Sequence, residues 1–388
     1  MYSVSPFNTS ISSVKNVKIV DCTLRDGEQQ PGLVFSKNDK VTIAQQLDKL
    51  GVYEIEAGMP AVSNEDYKSI SEIVDLGLNA KVSALARAKS DDINLVKETG
   101  AWGIRISLPI SPLQLKYKLN KSEQEIHLMA LKATEMAKEL GLYVIFSPYD
   151  TTRCNLPFML KLLEDLVERK LIDRVRLVDT VGCALPSTIR FLVRAMKSVI
   201  KEIPIEIHCH DDFGLALAST VEGIVTGCEY ASCTMNGLGS RCGNAALEEV
   251  VMALEALYKV STGVNLKYIH ETALLVEKLS GISIHPHKSV VGANAFAHET
   301  GITVSGVVKN PFTAEAYAPE LVGQKRRLVL GKKSGLASIK AVLETDNIKM
   351  SDDQAKLLLK KVKEYSIMKK GEVTNRELLE IAREINLL

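Results

Sequence analysis

The chain has 388 residues, 46% hydrophobic and 24% charged, with 48 basic against 47 acidic side chains for a net charge of +1. That length holds one large domain and something smaller, at roughly 150 residues per domain. The balanced charge gives no electrostatic reason to expect nucleic acid or an anionic membrane as partner, which leaves small molecules and copies of the chain itself.

The opening stretch, MYSVSPFNTSISSVKNV, lacks the charged region and apolar core of a signal peptide. No apolar run reaches the roughly 18–20 residues that span a bilayer, so the cytoplasm is the expected location. Seven cysteines (22, 154, 183, 209, 228, 233 and 242) are scattered and form no CxxC pair. Reduced, mostly buried thiols are expected rather than a disulfide framework or a cysteine zinc site.

From about residue 17 to 260, short β-branched runs alternate with longer amphipathic stretches. Eight runs read as strands: 17–22, 52–57, 81–86, 103–108, 142–147, 174–179, 205–210 and 230–235. Helical spacing of apolar residues follows them, for instance over 37–50, 64–76, 122–140, 155–169, 186–201, 213–226 and 243–258. Eight such units predict an α/β fold, a (β/α)8 TIM barrel, over 10–285. A doubly wound open sheet competes, but the first strand–helix turn reads CTLRDGEQQ and has no GxGxxG. One more helix is expected over 261–285. Residues 286–335, rich in Gly, Pro and His, read as an extended ordered linker. In the tail, Ser351 and Thr374 are expected N-caps of two short helices, completing a small helical subdomain within 286–388.

Catalytic groups of such barrels sit where strands end at their C-terminal side. The first strand closes in Asp21-Cys22-Thr23-Leu24-Arg25-Asp26-Gly27-Glu28-Gln29, the seventh in His208-Cys209-His210-Asp211-Asp212, and Asn236 to Asn244 follow the eighth. His208 and His210, two apart on a strand, face the same side. They either share one metal ion or are hydrogen-bonded within a polar barrel mouth. Asp26 is the best carboxylate to join them, and Asn244 offers an amide oxygen. This nitrogen and oxygen set suits Zn, Mn, Co or, less comfortably, Mg. Arg25 either grips a carboxylate or enolate oxygen, or forms a structural ion pair. Thr180 offers a hydroxyl to the same rim or serves only its loop, and Gly237, Gly239 and Gly243 allow close backbone approach or merely turn the chain.

DCTLRDGEQQPG, IHCHDDFGLA and MNGLGSRCGNAALEEVVMAL together resemble the isopropylmalate synthase and homocitrate synthase family of metal-dependent barrels. The resemblance continues through LKYKL (115–119), LVDTVG (177–182), GANAFAHETGI (292–302) and PELVGQKRRLVLGKKSG (319–335), and is closest to short archaeal-type enzymes that extend 2-oxo acids. It implies condensation of acetyl-CoA with a 2-oxo acid. A divalent metal (Zn, Mn or Mg) would be held by Asp26, His208, His210 and Asn244, and Arg25 would polarise the keto group. Gln29, Ser147 and Thr180 would contact substrate, and a homodimer would be the functional unit. Because the chain ends where longer members continue into a regulatory domain, feedback inhibition through that domain is not expected.

Three departures from the family pattern bear on acid/base chemistry. Tyr149, in Phe146-Ser147-Pro148-Tyr149-Asp150, occupies the place of the second glutamate of an EFSxED-like stretch. Thr303 stands where a GIHxDG-like stretch has histidine, and Lys333 replaces a common histidine in GKKSG. A phenol or aliphatic hydroxyl of ordinary pKa does not replace a carboxylate or imidazole as base. His298, Asp150 and Glu299 are the candidate replacements. Ile145 stands where homocitrate synthase relatives have an arginine that reads a distal carboxylate. A smaller or more apolar oxo acid is therefore expected unless Arg87, Lys89 or Arg105 reaches in. Two other readings compete: a retro-aldol lyase like hydroxymethylglutaryl-CoA lyases, and a paralogue that binds metal and oxo acid without condensation.

Overall fold

The computed structural model describes residues 2–8, 14–345 and 348–386. The chain divides into two compact units, Pro6–Ser283 and Ile284–Leu388, the latter joined by the first five residues. The expected barrel start at residue 10 lies outside the described residues.

Eight parallel strands close the larger unit into a barrel: β1 (Lys18–Asp21), β2 (Glu54–Glu56), β3 (Lys81–Arg87), β4 (Gly103–Pro109), β5 (Tyr143–Tyr149), β6 (Arg174–Asp179), β7 (Ile205–Cys209) and β8 (Tyr230–Cys233). β8 returns to β1 with Lys18 opposite Tyr230 and Asp21 opposite Cys233. The helices are α1 (Lys37–Leu50), α2 (Asn64–Asp75), α3 (Ser90–Glu98), the single turn α4 (Pro112–Gln114), α5 (Glu123–Glu139), α6 (Leu156–Glu168), α7 (Pro186–Ile200), α8 (Ala216–Thr226), α9 (Leu247–Met252) and α10 (Ile269–Ser280). Local chemistry marks their starts: Ser36 with Asp39 and Ser122 with Glu125 form reciprocal capping boxes, and prolines open α6 and α7. The longer helices bury one stripe against the barrel, as Ile43, Ala44, Leu47 and Leu50 do on α1. Truncating Leu47 to alanine there costs about 2–5 kcal/mol.

The span 243–258 is not one helix as the spacing predicts. Residues 243–246 complete the loop after β8, α9 follows, and a π-helical turn occupies Ala253–Tyr258. Gly243 has φ 87, and a Cβ there would lie 2.0 Å from the Gly237 oxygen, so the loop must pass before a helix can begin.

The barrel interior is charged where branched aliphatics are usual. Arg105, Arg174 and Arg176 point inward from β4 and β6 against Glu54, Glu56 and Glu206 from β2 and β7, all with side chains no more than 2% exposed. Three positive charges meet three negative ones. Arg174 also lies 3.9 Å from the ring centre of Tyr230, below the ion pairs.

In the smaller unit, β9 (Ala297–His298) and β10 (Arg327–Leu328) pair in parallel, α11 (Gly301–Lys309) buries Val304 and Val307, and α12 (Leu336–Thr345), α13 (Asp352–Lys369) and α14 (Asn375–Glu384) surround a core that includes Leu330, Ile339, Leu358, Val362 and Leu378. Ser351 and Thr374 cap α13 and α14, each in a capping box. The helix α11 is absent from the sequence reading because two glycines and β-branched Thr303, Val304, Val307 and Val308 give it weak propensity. No described helix is long and apolar enough to cross a membrane. All seven cysteines are free thiols, with Cys183 and Cys242 exposed.

Candidate active site

The end of β7 and the loop after β1 build the centre of the barrel mouth. His208 and His210 alternate with buried Cys209, so both imidazoles face inward with ring centres 5.1 Å apart and planes at 90°. Asp26 is carried beneath them by a tight turn whose amide donates to the Cys22 oxygen at 2.8 Å. Its Oδ2 lies 3.0 Å from His208 Nε2 and 3.6 Å from His210 Nε2. One ligand atom from each of the three residues falls within 4.8 Å of the others. An antiparallel bridge between His210 and Asn244 brings the amide of Asn244 to the same place. Its Nδ2 donates to the Leu238 oxygen at 3.0 Å, while its Oδ1 is buried without a hydrogen-bond partner, as is His210 Nδ1.

Protonation suits this donor set to a cation. Burial pushes both imidazoles down, His210 to about 4 with a further contribution from His208, so each is neutral at neutral pH. Burial opposes ionisation of Asp26, but Arg25 and His208 overcome it and hold the carboxyl well below the usual range. His208 Nδ1 lies 3.1 Å from Ser232 Oγ, which leaves Nε2 to face the centre. Two neutral imidazoles, a carboxylate and an orphaned amide oxygen fit a divalent ion with N/O ligands.

Arg25 is fixed from below. Its Nε and Nη2 donate to the two oxygens of Glu56 at 2.6 and 3.1 Å, and its Nη1 lies 3.4 Å from Asp26. The Glu56 carboxylate also pairs with Arg105 and Arg176, so the interior ion network ends at the mouth. Above it lies a cavity of about 110 Å³ whose wall includes Arg25, Gln29, Leu85, Ser107, Ser147, Tyr149, Val178 and Arg241. Gln29 is at its exposed lip, where Ser240 Oγ lies 3.5 Å from Gln29 Oε1. Arg241 pairs with Asp212 at 2.7 Å and donates to the Thr180 carbonyl.

Two expected site residues are placed otherwise. Thr180 is buried, and its Oγ1 accepts the Asp150 amide at 2.9 Å instead of facing the cavity. Asp150, a candidate base, has φ 66 and is fully buried, with both oxygens engaged by Arg153 and one also by Ser111. Together they shape the end of β5 and carry Tyr149 to the rim. Burial, with the charge of Asp150, pushes the Tyr149 phenol up, so at neutral pH it can donate a proton but not accept one.

The other expectations for distal cations resolve similarly. Ile145 is fully buried, Arg105 is held among Glu54, Glu56 and Glu206, and Arg87 is paired with Asp92 beside an exposed Lys89. Within the smaller unit, His298 Nε2 lies 3.1 Å from Glu315, which also binds Arg326, and Glu299 accepts the Lys333 amide at 2.9 Å. Glu56, Arg176 and Ser232 escape the sequence reading. Their signal is polar residues at alternate strand positions, E-x-E and R-x-R above all.

Comparison with known proteins adds to this geometry. The HMGL-like family matches residues 16–276, and the homocitrate synthase post-HMGL domain-like family matches 290–370. A probable 2-isopropylmalate synthase of Ignicoccus hospitalis is 45% identical over 96% of this chain and 92% of its own. Homocitrate synthase AksA of Methanocaldococcus jannaschii is 42% identical over 99% and 94%, and (R)-citramalate synthase CimA of the same organism 41% over 95% and 74%. The crystal structure of Bacillus subtilis HMG-CoA lyase superposes with a TM-score of 0.62 at 23% identity, over 70% of this chain and 95% of that one, a likeness of fold.

Proposed function

The chain belongs to the HMGL-like family, among the 2-isopropylmalate, homocitrate and citramalate synthases, and from that premise we propose that it condenses acetyl-CoA with a 2-oxo acid of short, uncharged side chain. One observation carries the substrate preference: among the described residues, each arginine on the cavity wall is already paired with a carboxylate. Arg25 is paired with Glu56, Arg176 with Glu56 and Glu206, and Arg241 with Asp212. A distal carboxylate would be buried there without a counter-charge, at several kcal/mol. Leu85, Val178 and the hydroxyls of Ser107 and Ser147 suit a small aliphatic group instead.

Asp26, His208, His210 and Asn244 Oδ1 would hold the divalent ion, which supplies a Lewis acid next to the carbonyl under attack. Arg25, oriented by Glu56, presents its guanidinium to oxygen that becomes negative as the new bond forms. Tyr149 holds a proton at the rim. Gln29 and Ser147 border the space the substrate occupies. The lyase reading has support in fold alone, whereas the synthase relatives extend through the smaller unit as well. A homodimer in the cytoplasm completes the proposal, in keeping with seven free thiols. A fully active monomer in sedimentation would overturn the dimer.

The test is thiol release from acetyl-CoA with Mn, Zn or Mg across pyruvate, 2-oxoisovalerate, oxaloacetate and 2-oxoglutarate. Pyruvate or 2-oxoisovalerate should exceed the two diacids by about 100-fold in kcat/KM, equivalent to about 2.7 kcal/mol. Preference for 2-oxoglutarate would refute the pocket argument. Silence across the panel with metal bound would refute condensation.

A further inference from the structure

The connection between β4 and α5 carries an exposed group of side chains that the chemistry above does not use. After β4, Ser111 caps the single turn α4 and its hydroxyl donates to Asp150, the residue following Tyr149. The chain then widens into a π-helical turn, Leu115–Leu119, closed by Asn120 at φ 50. Such turns are rare and gather at functional sites. Leu115 is the buried anchor, while Lys116, Tyr117 and Lys118 are exposed, Tyr117 by 75%. The Lys118 ammonium lies 4.5 Å from the ring centre of Tyr149, which borders the catalytic cavity, so the turn is seated at its lip. Lys116 lies 4.9 Å from the ring centre of Tyr117.

The cations at this rim differ in one respect. Arg25, Arg153 and Arg241 each have a carboxylate partner, whereas among the described residues neither Lys116 nor Lys118 has one within ion-pair distance. An exposed aromatic ring flanked by two uncompensated ammonium groups provides a stacking surface for a base and positive charge for phosphates. A 2-oxo acid is too small to need both, and a net charge of +1 gives no electrostatic reason to expect a nucleic acid there. We propose that this turn binds the adenosine 3′,5′-bisphosphate end of coenzyme A, with the acyl-bearing arm passing Tyr149 into the cavity. The inference rests on the condensation reading and adds to it where the co-substrate enters.

Calorimetry on the full-length protein with coenzyme A and with adenosine 3′,5′-bisphosphate tests it, using Tyr117→Ala and the double variant Lys116→Ala/Lys118→Ala. All three side chains are exposed, so unchanged melting temperatures are expected to accompany about tenfold weaker binding of both ligands. Wild-type affinity should fall with added salt more steeply than that of the double variant. In turnover, KM for acetyl-CoA should rise about tenfold, against less than twofold for the acetyl thioester of N-acetylcysteamine, which lacks the nucleotide. Wild-type affinity for coenzyme A in both variants would overturn the inference and leave the condensation reading standing. A wild-type protein that binds neither ligand would overturn both.

Discussion

Replacing Glu206 with glutamine tests whether balanced charge holds the barrel interior. Glu206 accepts hydrogen bonds from Arg105, Arg174 and Arg176, with distances of 2.6 to 3.2 Å, and none of the four side chains is more than 2% exposed. The substitution keeps the shape but leaves three arginines against two glutamates. An uncompensated charge of this kind costs about 3–5 kcal/mol. For a barrel somewhat above the roughly 150–250 residues to which a slope near 2 °C per kcal/mol applies, Tm should fall by about 6–10 °C. Equilibrium urea unfolding and calorimetry measure both quantities. Adding Arg174→Met to Glu206→Gln restores the balance, although it removes the contact of Arg174 with Tyr230. The double variant should therefore recover at least about 1 kcal/mol relative to Glu206→Gln, the non-additivity of coupled neighbours. A single variant within about 1 kcal/mol of wild type, or a double variant that loses the sum of both single effects, would refute the argument.

Three further outcomes are expected. Ser232→Ala removes the hydroxyl 3.1 Å from His208 Nδ1 and should weaken Mn or Zn binding about 10- to 100-fold by calorimetry; unchanged affinity would remove Ser232 from the orientation of His208. Tyr149→Phe deletes the rim proton donor and should lower kcat by about 100-fold with metal content intact, whereas an unaltered kcat would exclude Tyr149 from proton transfer. In the smaller unit, Lys369 and the Thr374 amide hold Glu377 down to about 2, below its unfolded value of 4.5. Its contribution is complete above about pH 4.5 and is lost as pH falls towards 2. Helix content should decline over that window in wild type and be flatter there in Glu377→Gln; parallel profiles would contradict the assignment.

The barrel was legible because hydrophobic period and strand length change together along the first 280 residues, and because a parallel closed sheet leaves one place for function. His208 and His210 could be placed on one face from spacing alone, and Asp26 from its position just beyond β1. Asn244 was less accessible to such reasoning. Its place depends on a loop in which Gly243 at φ 87 and Gly239 at φ 157 let the backbone fold against itself, with a bridge to His210. Asp150 as a base and Thr180 as a substrate contact were expected from their places at strand ends, but sequence does not tell that Asp150 enters the left-handed region and that its amide takes up the Thr180 hydroxyl. The segment 286–335 hid α11 because weak local propensity is overridden there by packing of Val304 and Val307.

Glu56 connects the two parts of the barrel that a reading of single motifs keeps apart. Its carboxylate accepts from Arg25 at the mouth while pairing with Arg105 and Arg176 in the interior, and those two arginines share Glu206. Arginine cannot relieve strain in such a cluster by losing its proton, so the geometry adjusts as a unit. Arg25 therefore keeps its orientation only while the interior charges remain balanced. Restoring neutrality in the double variant should restore the position of Arg25 together with the stability, a coupling that a purely aliphatic barrel core would not possess.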